Sequence, residues 1–254
     1  MVCHSSAKIR RRRSKAYVKI KKICLCVILS KKKMNTILPF LTDLAQNNNR
    51  SWFQENRERY NIARQAVLDL TTTLINQIGQ FDPQVRYLEP KDCLFRIYRD
   101  TRFSLDKSPY KRHFGSYIAM NGGHRSTLSG YYIHLQPGNC MLSGGIWCPD
   151  NQGIKNFRSY IDTEYDELFN IMAQPDFKHY FGDKLTCFES LKRPPMGYPA
   201  DHPAIELLKM KQWLTEHHFD DSLLNNPQQL ITHLTQAAHA MMPFSHWCNR
   251  AFLE

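Results

Sequence analysis

The densest group of chemically active side chains lies between residues 96 and 111. Its sequence is Arg-Ile-Tyr-Arg-Asp-Thr-Arg-Phe-Ser-Leu-Asp-Lys-Ser-Pro-Tyr-Lys, and five of its residues carry a fixed positive charge: Arg96, Arg99, Arg102, Lys107 and Lys111. The guanidinium group of arginine is a planar fork that binds a carboxylate or a phosphate through two parallel hydrogen bonds. The cluster therefore predicts a binding site for an anion, although it does not define a reaction.

A structural role for the same cations is equally open. Asp100 and Asp106 stand among them, and ion pairs with these carboxylates would hold a large loop in shape. If residues 93–99 form a strand, Arg96 and Arg99 point to opposite faces, so the five cations cannot all contact one ligand directly.

Tyr132 and His134 are the candidates for directional hydrogen bonding and proton transfer. In the predicted strand over residues 127–136, Tyr132, His134 and Gln136 share one face, which is polar, and Tyr131, Ile133 and Leu135 share the other. His134 is the histidine most suited to act as an acid or a base near neutral pH, although a structural histidine is the more common case. The sequence leaves open whether the protein is an enzyme.

Searches for the usual catalytic and cofactor motifs find nothing. The chain has no phosphate-binding loop, no dinucleotide-binding glycine pattern, no His-Glu-x-x-His, no Cys-x-x-Cys and no Gly-x-Ser-x-Gly. The eleven histidines are not spaced like metal ligands. We expect no metal site, and the sequence indicates no particular cofactor.

Most of the positive charge lies at one end of the chain. The formal net charge is +11, but residues 1–33 hold twelve of the 34 basic residues and no acidic residue. Residues 34–254 therefore carry 22 basic and 23 acidic residues, a net charge of −1. A body with this charge has no general attraction for a polyanion, which does not support nucleic acid as the partner.

Residues 1–33 have two interpretations. They could be a functional basic arm or a short signal-anchor, but the apolar run over residues 23–29 is about seven residues long, against roughly twenty for a membrane span. We favour translation from Met34, a single domain over residues 34–254, and a fold that survives removal of residues 1–33. The eight cysteines show no paired spacing, so we expect reduced thiols, a cytoplasmic protein and no membrane partner. Cys93, Cys140 and Cys148 are expected to be core thiols.

The order of elements predicts an α+β fold. Apolar residues at three- and four-residue spacing predict a short helix that starts at Ile37 and ends near the run Asn47-Asn48-Asn49, and a second helix that Ser51 caps and Gly79 closes. Four strands are predicted over residues 93–99, 114–120, 127–136 and 139–147, with glycine-containing turns between neighbours that favour antiparallel pairing. Helices follow over residues 151–173, 201–217 and 227–242, the second capped by Asp201. We expect a central antiparallel sheet of about four or more strands between N- and C-terminal helices.

Several motifs together resemble a known family. They are Phe40-Leu-x-Asp-Leu-Ala-x-Asn-Asn-x-Arg-x-Trp-Phe, the segment Phe95-Arg-Ile-Tyr-Arg-Asp-Thr-Arg-Phe-Ser-x-Asp-Lys-x-Pro-Tyr-Lys111, and the glycine- and proline-rich motifs near residues 130–149 and 197–203. The chain is similar in these to a conserved-hypothetical, domain-of-unknown-function family of bacterial and fungal proteins, over residues 37–215. The resemblance implies no established reaction and no catalytic residue.

The sequence leaves three functions open. The first is a cytoplasmic domain that binds or acts on an anionic small molecule, phosphorylated or carboxylated, through the Arg/Lys-rich segment, with Tyr132 and His134 supplying directional hydrogen bonds. The second is a non-catalytic module that binds nucleic acid or a protein partner through the same segment. The third is a scaffold without a ligand. An enclosed pocket at the sheet favours the first, and an open basic surface favours the second.

Overall fold

The computed structural model describes residues 33–253 of the chain. Three helices precede the sheet near the N-terminal end of this range. They are α1 (Ile37–Gln46), α2 (Arg50–Glu55) and α3 (Arg57–Ile78). The cap predicted at Ser51 is wrong: the Asn49 side chain caps α2 by accepting the Trp52 amide at 3.0 Å. The single helix predicted up to Gly79 is broken at Asn56, which separates α2 from α3.

Four strands form one antiparallel sheet in the order β1-β2-β3-β4, and the predicted α+β class is confirmed. The strands are β1 (Phe114–Ile118), β2 (Tyr131–Leu135), β3 (Cys140–Ile146) and β4 (Trp213–Phe219). A 3₁₀ turn over Gly123–Arg125 lies between β1 and β2, and Asn121 to Gly123 reach it with three successive positive φ angles of 60°, 110° and 58°. Glycine is the residue that adopts this conformation without strain.

The strand predicted over residues 93–99 is wrong. Its first residue belongs to the short helix α4 (Pro90–Cys93), and the rest is extended with only isolated bridges, Leu94 to Ser116 and Tyr98 to Tyr110. The Phe95 amide still donates to the Gly115 carbonyl at 3.1 Å, so the segment starts along the edge of β1 and then leaves it.

The helix predicted over residues 201–217 is also wrong. Only α7 (Ile205–Lys209) is helical, no side chain caps it, and β4 follows. Seven consecutive residue pairs join β4 to β3, from Cys140–Phe219 to Ile146–Trp213. A helix here would leave the polar backbone groups of β3 without partners along that edge, a cost that local helix propensity does not offset.

The remaining helices agree more closely with the sequence. α5 (Asn151–Ala173) has the predicted bounds, with the Asp150 side chain accepting the Gly153 amide at 2.7 Å. α6 (Pro175–Phe181) follows at once, and α8 (Pro227–Leu253) extends eleven residues beyond the predicted end at Met242.

The two faces of the sheet differ in what covers them. One packs on the helices: Thr71 of α3 donates to Ser116 of β1 at 2.9 Å, and Thr215 of β4 contacts Met241 of α8 at 3.1 Å. Strand register assigns the opposite side chains to a second surface, here called the polar face: Gly115, Tyr117, Tyr132, His134, Met141, Ser143, Glu216 and His218. The predicted polar side of β2 is confirmed.

Two further expectations concern membranes and cysteines. Within residues 33–253, no helix combines the length and the apolar character that crossing a membrane requires. Cys93 and Cys140 are buried, and burial raises the pKa of both thiols to about 12. Cys148 is exposed, so its assignment to the core was wrong.

Candidate functional site

The basic segment, residues 96–111, folds as two short antiparallel stretches joined by a loop, beside β1. Residues 97–99 and 109–111 run antiparallel, here called the ribbon, and residues 100–108 form the loop that joins them. The Arg99 and Lys111 amides each donate to a carbonyl in the opposite half of the ribbon, at 2.9 and 2.8 Å. The cations are therefore presented from a hydrogen-bonded frame.

Asn48 fastens the ribbon to the N-terminal helices. Its Nδ2 donates to the Tyr110 carbonyl at 3.0 Å, and its Oδ1 accepts the Tyr110 amide at 3.1 Å, so one side chain completes both backbone bonds of that residue. The Tyr110 ring, 2 % exposed, stacks on Phe53 at 4.0 Å and lies 5.3 Å from Tyr98. Tyr98 and Tyr110 thus pack the ribbon against Phe53 of α2.

The loop is held by its own ion pairs. Arg99 donates through Nη1 to Asp106 Oδ2 at 2.6 Å and Ser108 Oγ at 2.5 Å, and through Nη2 to Ser104 Oγ at 3.2 Å. Hydrogen bonds from the Ser108 amide and hydroxyl, together with the Arg99 guanidinium, lower the pKa of Asp106 to about 2.

Arg102 and Lys107 are engaged within the loop in the same way. Arg102 binds Asp100 with a two-pronged contact, Nε to Oδ1 at 3.0 Å and Nη2 to Oδ2 at 2.7 Å, which lowers the pKa of Asp100 to about 2. Lys107 Nζ donates to the Thr101 carbonyl at 3.0 Å. Three of the five cations therefore shape the loop, as the structural interpretation of Asp100 and Asp106 expects.

Arg96 and Lys111 differ from those three. Within residues 33–253, no carboxylate oxygen lies within 4.0 Å of either side chain, and neither donates a hydrogen bond to another residue there. Lys111 is half-buried, with Nζ 5.2 Å from the centroid of the Phe95 ring. Burial, and then the charge of Arg96, lower the pKa of Lys111. Burying a cation without a counterion costs free energy, so the half-buried Lys111 favours a bound anion, which the exposed Arg96 could also contact.

His113 lies between these cations and the polar face. Its ring centroid is 4.3 Å from that of His134, and neither of its ring nitrogens has a hydrogen-bond partner in the described part of the chain. Burial, then His134, then Lys111 lower the pKa of His113 to about 4. His113 is therefore neutral at neutral pH.

Tyr132, His134 and Gln136 form a hydrogen-bonded chain along β2. The Tyr132 hydroxyl lies 2.9 Å from His134 Nδ1, and His134 Nε2 lies 3.2 Å from Gln136 Oε1. Since an amide oxygen only accepts, His134 carries its proton on Nε2, and Nδ1 accepts from Tyr132. Burial lowers the pKa of His134 and raises that of Tyr132 to about 12, so both groups are neutral.

Gly115 leaves room for this chain. A Cβ atom at this position would lie 3.1 Å from both the Tyr132 hydroxyl and Cδ2 of Phe95. A larger residue would therefore force the Tyr132 or the Phe95 ring to shift, and the glycine lets both rings lie against β1.

The structure brings Lys111, Tyr132 and His134 to one side of the ribbon, against the polar face, with the exposed Arg96 near enough to Lys111 for its charge to lower the pKa of that lysine. Arg99, Arg102 and Lys107 are engaged in the loop. Here the candidate site means Arg96, Lys111, His113, Tyr132 and His134. The sequence reading missed His113, which the strand alternation through Gly115 and Tyr117 could have placed on the polar face. It also missed Asn48, for which the run Asn47-Asn48-Asn49 gave no signal beyond a helix end.

Two cavities lie outside the candidate site. One of about 310 Å³ lies between α2 and the ribbon, lined by Arg50, Gln54, Tyr98 and Arg99 among others. The other, about 530 Å³, is an open depression on α5 and α8, where Tyr160 and Glu167 already bind Arg250. No group of three or more His, Cys, Asp or Glu residues within 33–253 could hold a metal ion.

A buried polar cluster lies under the opposite face of the sheet. Tyr131 donates to Asp82 Oδ2 at 2.8 Å, the Gln84 amide donates to Oδ1 at 3.1 Å, and His246 Nε2 lies 3.2 Å from Oδ1 without a well-directed hydrogen bond. Burial alone would raise the pKa of Asp82, but these contacts outweigh it and hold the pKa below its usual value. The cluster ties β2 to the end of α3 and to α8.

Comparison with known proteins gives one match. No curated protein and no solved structure matches the chain significantly. A family model described as "Conserved hypothetical protein (DUF2461)" matches residues 36–247, well over half of the chain, which include α1, the ribbon, the whole sheet and most of α8. The chain therefore belongs to the DUF2461 family of conserved hypothetical proteins.

Proposed function

We propose that this protein binds an anionic small molecule, phosphorylated or carboxylated, at the candidate site. The observation that carries the proposal is that three neighbouring donor groups, Arg96, Lys111 and His113, have no partner within residues 33–253 although the last two are partly buried. An oxyanion would accept hydrogen bonds from all three and neutralise the two cations.

The loop and the polar face have separate roles in this proposal. Arg99, Arg102 and Lys107 keep the loop in shape and add a positive field at longer range. Tyr132 and His134 adjoin the bound anion and supply a hydrogen-bonded chain that runs from the Tyr132 hydroxyl through the His134 ring to the Gln136 amide oxygen. If a reaction follows binding, these two residues are the candidates for acid–base chemistry.

Anion-dependent stabilisation tests the proposal. We expect sulfate and phosphate to raise the melting temperature of the full chain, and Lys111→Ala or Arg96→Ala to weaken that effect. A hydrogen bond to a charged group contributes about 1.5–3 kcal/mol, which corresponds to an affinity loss of roughly ten- to a hundred-fold for each variant.

Arg102→Ala and Lys107→Ala are the matched controls, since each removes one positive charge from the same segment. They should lower the melting temperature without abolishing stabilisation by anions. Because residues 1–33 carry twelve cations, only the difference between parent and variant counts as binding at the site. Equal responses of Lys111→Ala and Lys107→Ala would contradict the proposal.

A second candidate function is a protein or nucleic-acid partner that binds the loop. Its support is the exposure of two large apolar side chains there, Phe103 at 95 % and Leu105 at 102 %. The ion pair between Arg102 and Asp100 halves the positive charge at this tip, which favours a protein over a nucleic acid. Phe103→Ser with Leu105→Ser should then abolish partner binding and leave anion binding intact.

We also propose a cytoplasmic location. The support is that Cys93, Cys140, Cys148, Cys187 and Cys248 are all free thiols, as expected in a reducing compartment. Maleimide labelling of intact and permeabilised cells tests this through the exposed Cys148.

A further inference from the structure

His113 differs from every other residue of the candidate site in having neither a charge nor a hydrogen-bond partner. Tyr132 and His134 bond to each other, and Arg96 and Lys111 are charged. The imidazole of His113 instead lies against the His134 ring, with two ring nitrogens that no described residue engages. An unengaged, partly buried donor beside two unpaired cations suits an oxyanion.

We propose that His113 is a third anion-binding residue of this site and that it takes up a proton when an oxyanion binds. The inference rests on the proposed function, since it requires an anion beside Arg96 and Lys111. It adds a binding residue that no motif indicated and a coupling of affinity to pH. The ligand class is a fully ionised oxyanion, such as a phosphate ester or a carboxylate.

The surroundings of His113 explain why the ring is neutral without ligand. Lys111 faces it from the ribbon, with Arg96 close to Lys111, and His134 faces it from β2, where Tyr132 is bonded to His134. The outer strand β4 places His218 and Glu216 on the same face, 4.0 Å from each other. The groups against the ring are therefore positive or neutral, and Glu216 is the one carboxylate on this face. Burial and the nearby positive charge both disfavour the protonated ring, which lowers the pKa of His113.

A bound oxyanion reverses this balance. Its negative charge offsets that of Lys111, and the hydrogen bond that it accepts from the imidazolium compensates the charged ring for the water lost on burial, so the pKa of His113 rises. By linkage, a group with a higher pKa in the complex than in the free protein strengthens binding as the pH falls between the two values. The free value is about 4, and the value in the complex lies nearer to that of ordinary histidine.

Sulfate is the probe of choice because it keeps its two charges near neutral pH, so a pH effect belongs to the protein. We expect the affinity of the full chain for sulfate to rise by up to about tenfold per pH unit as the pH falls from about 7.5 to about 5.5. Calorimetry in two buffers with different heats of ionisation should show up to one proton taken up per sulfate in this range. The second measurement needs no variant.

Two variants locate the proton. His113→Gln should bind sulfate with an affinity that changes little with pH and with little proton uptake. The control His239→Gln removes an exposed histidine that packs on Phe81, and it should keep the parent's pH dependence. Melting curves of both variants at each pH identify any loss of fold.

The outcomes separate this inference from the proposed function. Sulfate binding that is independent of pH and involves no proton uptake would overturn the role of His113 and leave the anion site in place. A pH dependence that persists in His113→Gln would assign the proton to another group and overturn the inference as well. If sulfate does not stabilise the parent at any pH in this range, both proposals fail.

Discussion

Asn48→Ala should be one of the most damaging single changes among the polar residues near the ribbon. The side chain makes two hydrogen bonds to the backbone of Tyr110, at 3.0 and 3.1 Å, and no neighbouring group replaces it. Two neutral hydrogen bonds contribute about 1 kcal/mol each, and leaving the Tyr110 amide and carbonyl unpaired can raise the cost to about 2 kcal/mol for each bond. We expect a loss of about 2–4 kcal/mol in the free energy of unfolding.

The loss should appear both globally and at the ribbon. For a chain of this size, about 2–4 °C of melting temperature corresponds to 1 kcal/mol, so Asn48→Ala should melt about 4–16 °C below the parent. The amides of Arg99 and Lys111 close the ribbon, and they should exchange hydrogen faster. Differential scanning calorimetry and hydrogen exchange measure the two effects.

Asn47→Ala is the matched control. Asn47 adjoins Asn48, but its side chain donates only to the Asp43 carbonyl within the end of α1, at 3.0 Å. Its loss should cost about 1 kcal/mol or less and leave ribbon exchange unchanged. Similar melting temperatures for the two variants, or unchanged exchange at the ribbon in Asn48→Ala, would refute the assignment of Asn48 as the residue that fastens it.

Two further predictions concern the faces of the sheet. Gly115→Ala should destabilise the fold by about 1 kcal/mol and lengthen the contact between Tyr132 and His134, which a change in the imidazole ¹⁵N shifts would report; unchanged shifts would contradict it. Asp82→Ala should cost about 1–3 kcal/mol at neutral pH because it leaves the buried Tyr131 hydroxyl unpaired. Since the folded state lowers the pKa of Asp82, its contribution is complete above the ordinary carboxyl pKa and is lost as the pH falls through the lowered value, so denaturation curves of parent and variant should converge in acid.

The sequence pattern within a short window predicted the elements that interactions between nearby residues stabilise. The apolar spacing of α5 gave its bounds, and the glycine turns gave the antiparallel pairing of β1, β2 and β3. β4 was not predicted, because the apolar residues within 213–219 fit the spacing of a helix as well as that of a strand. The segment is a strand because it pairs with the edge of β3, about seventy residues earlier in the chain. Pairing across that distance leaves no trace in a local window.

The candidate site was predicted only in part for a similar reason. Composition located the cations, but whether a cation is paired depends on loop geometry. Arg102 and Lys111 are both cations close in sequence to an aspartate. Arg102 forms an ion pair with Asp100, whereas no described carboxylate forms one with Lys111. Alternation along β1 could have placed His113 on the polar face, but its contact with the His134 ring on the neighbouring strand depends on the pairing of β1 with β2.

The most direct test of the anion site is a crystal structure of the full chain with selenate, whose selenium atom gives an anomalous signal that locates the ion. The proposed function predicts a selenate ion within hydrogen-bonding distance of Lys111 Nζ, with Arg96 and a ring nitrogen of His113 among its other donors. A crystal in which selenate occupies only Arg102, Lys107 or another surface, and leaves Lys111 without an anion, would contradict the account.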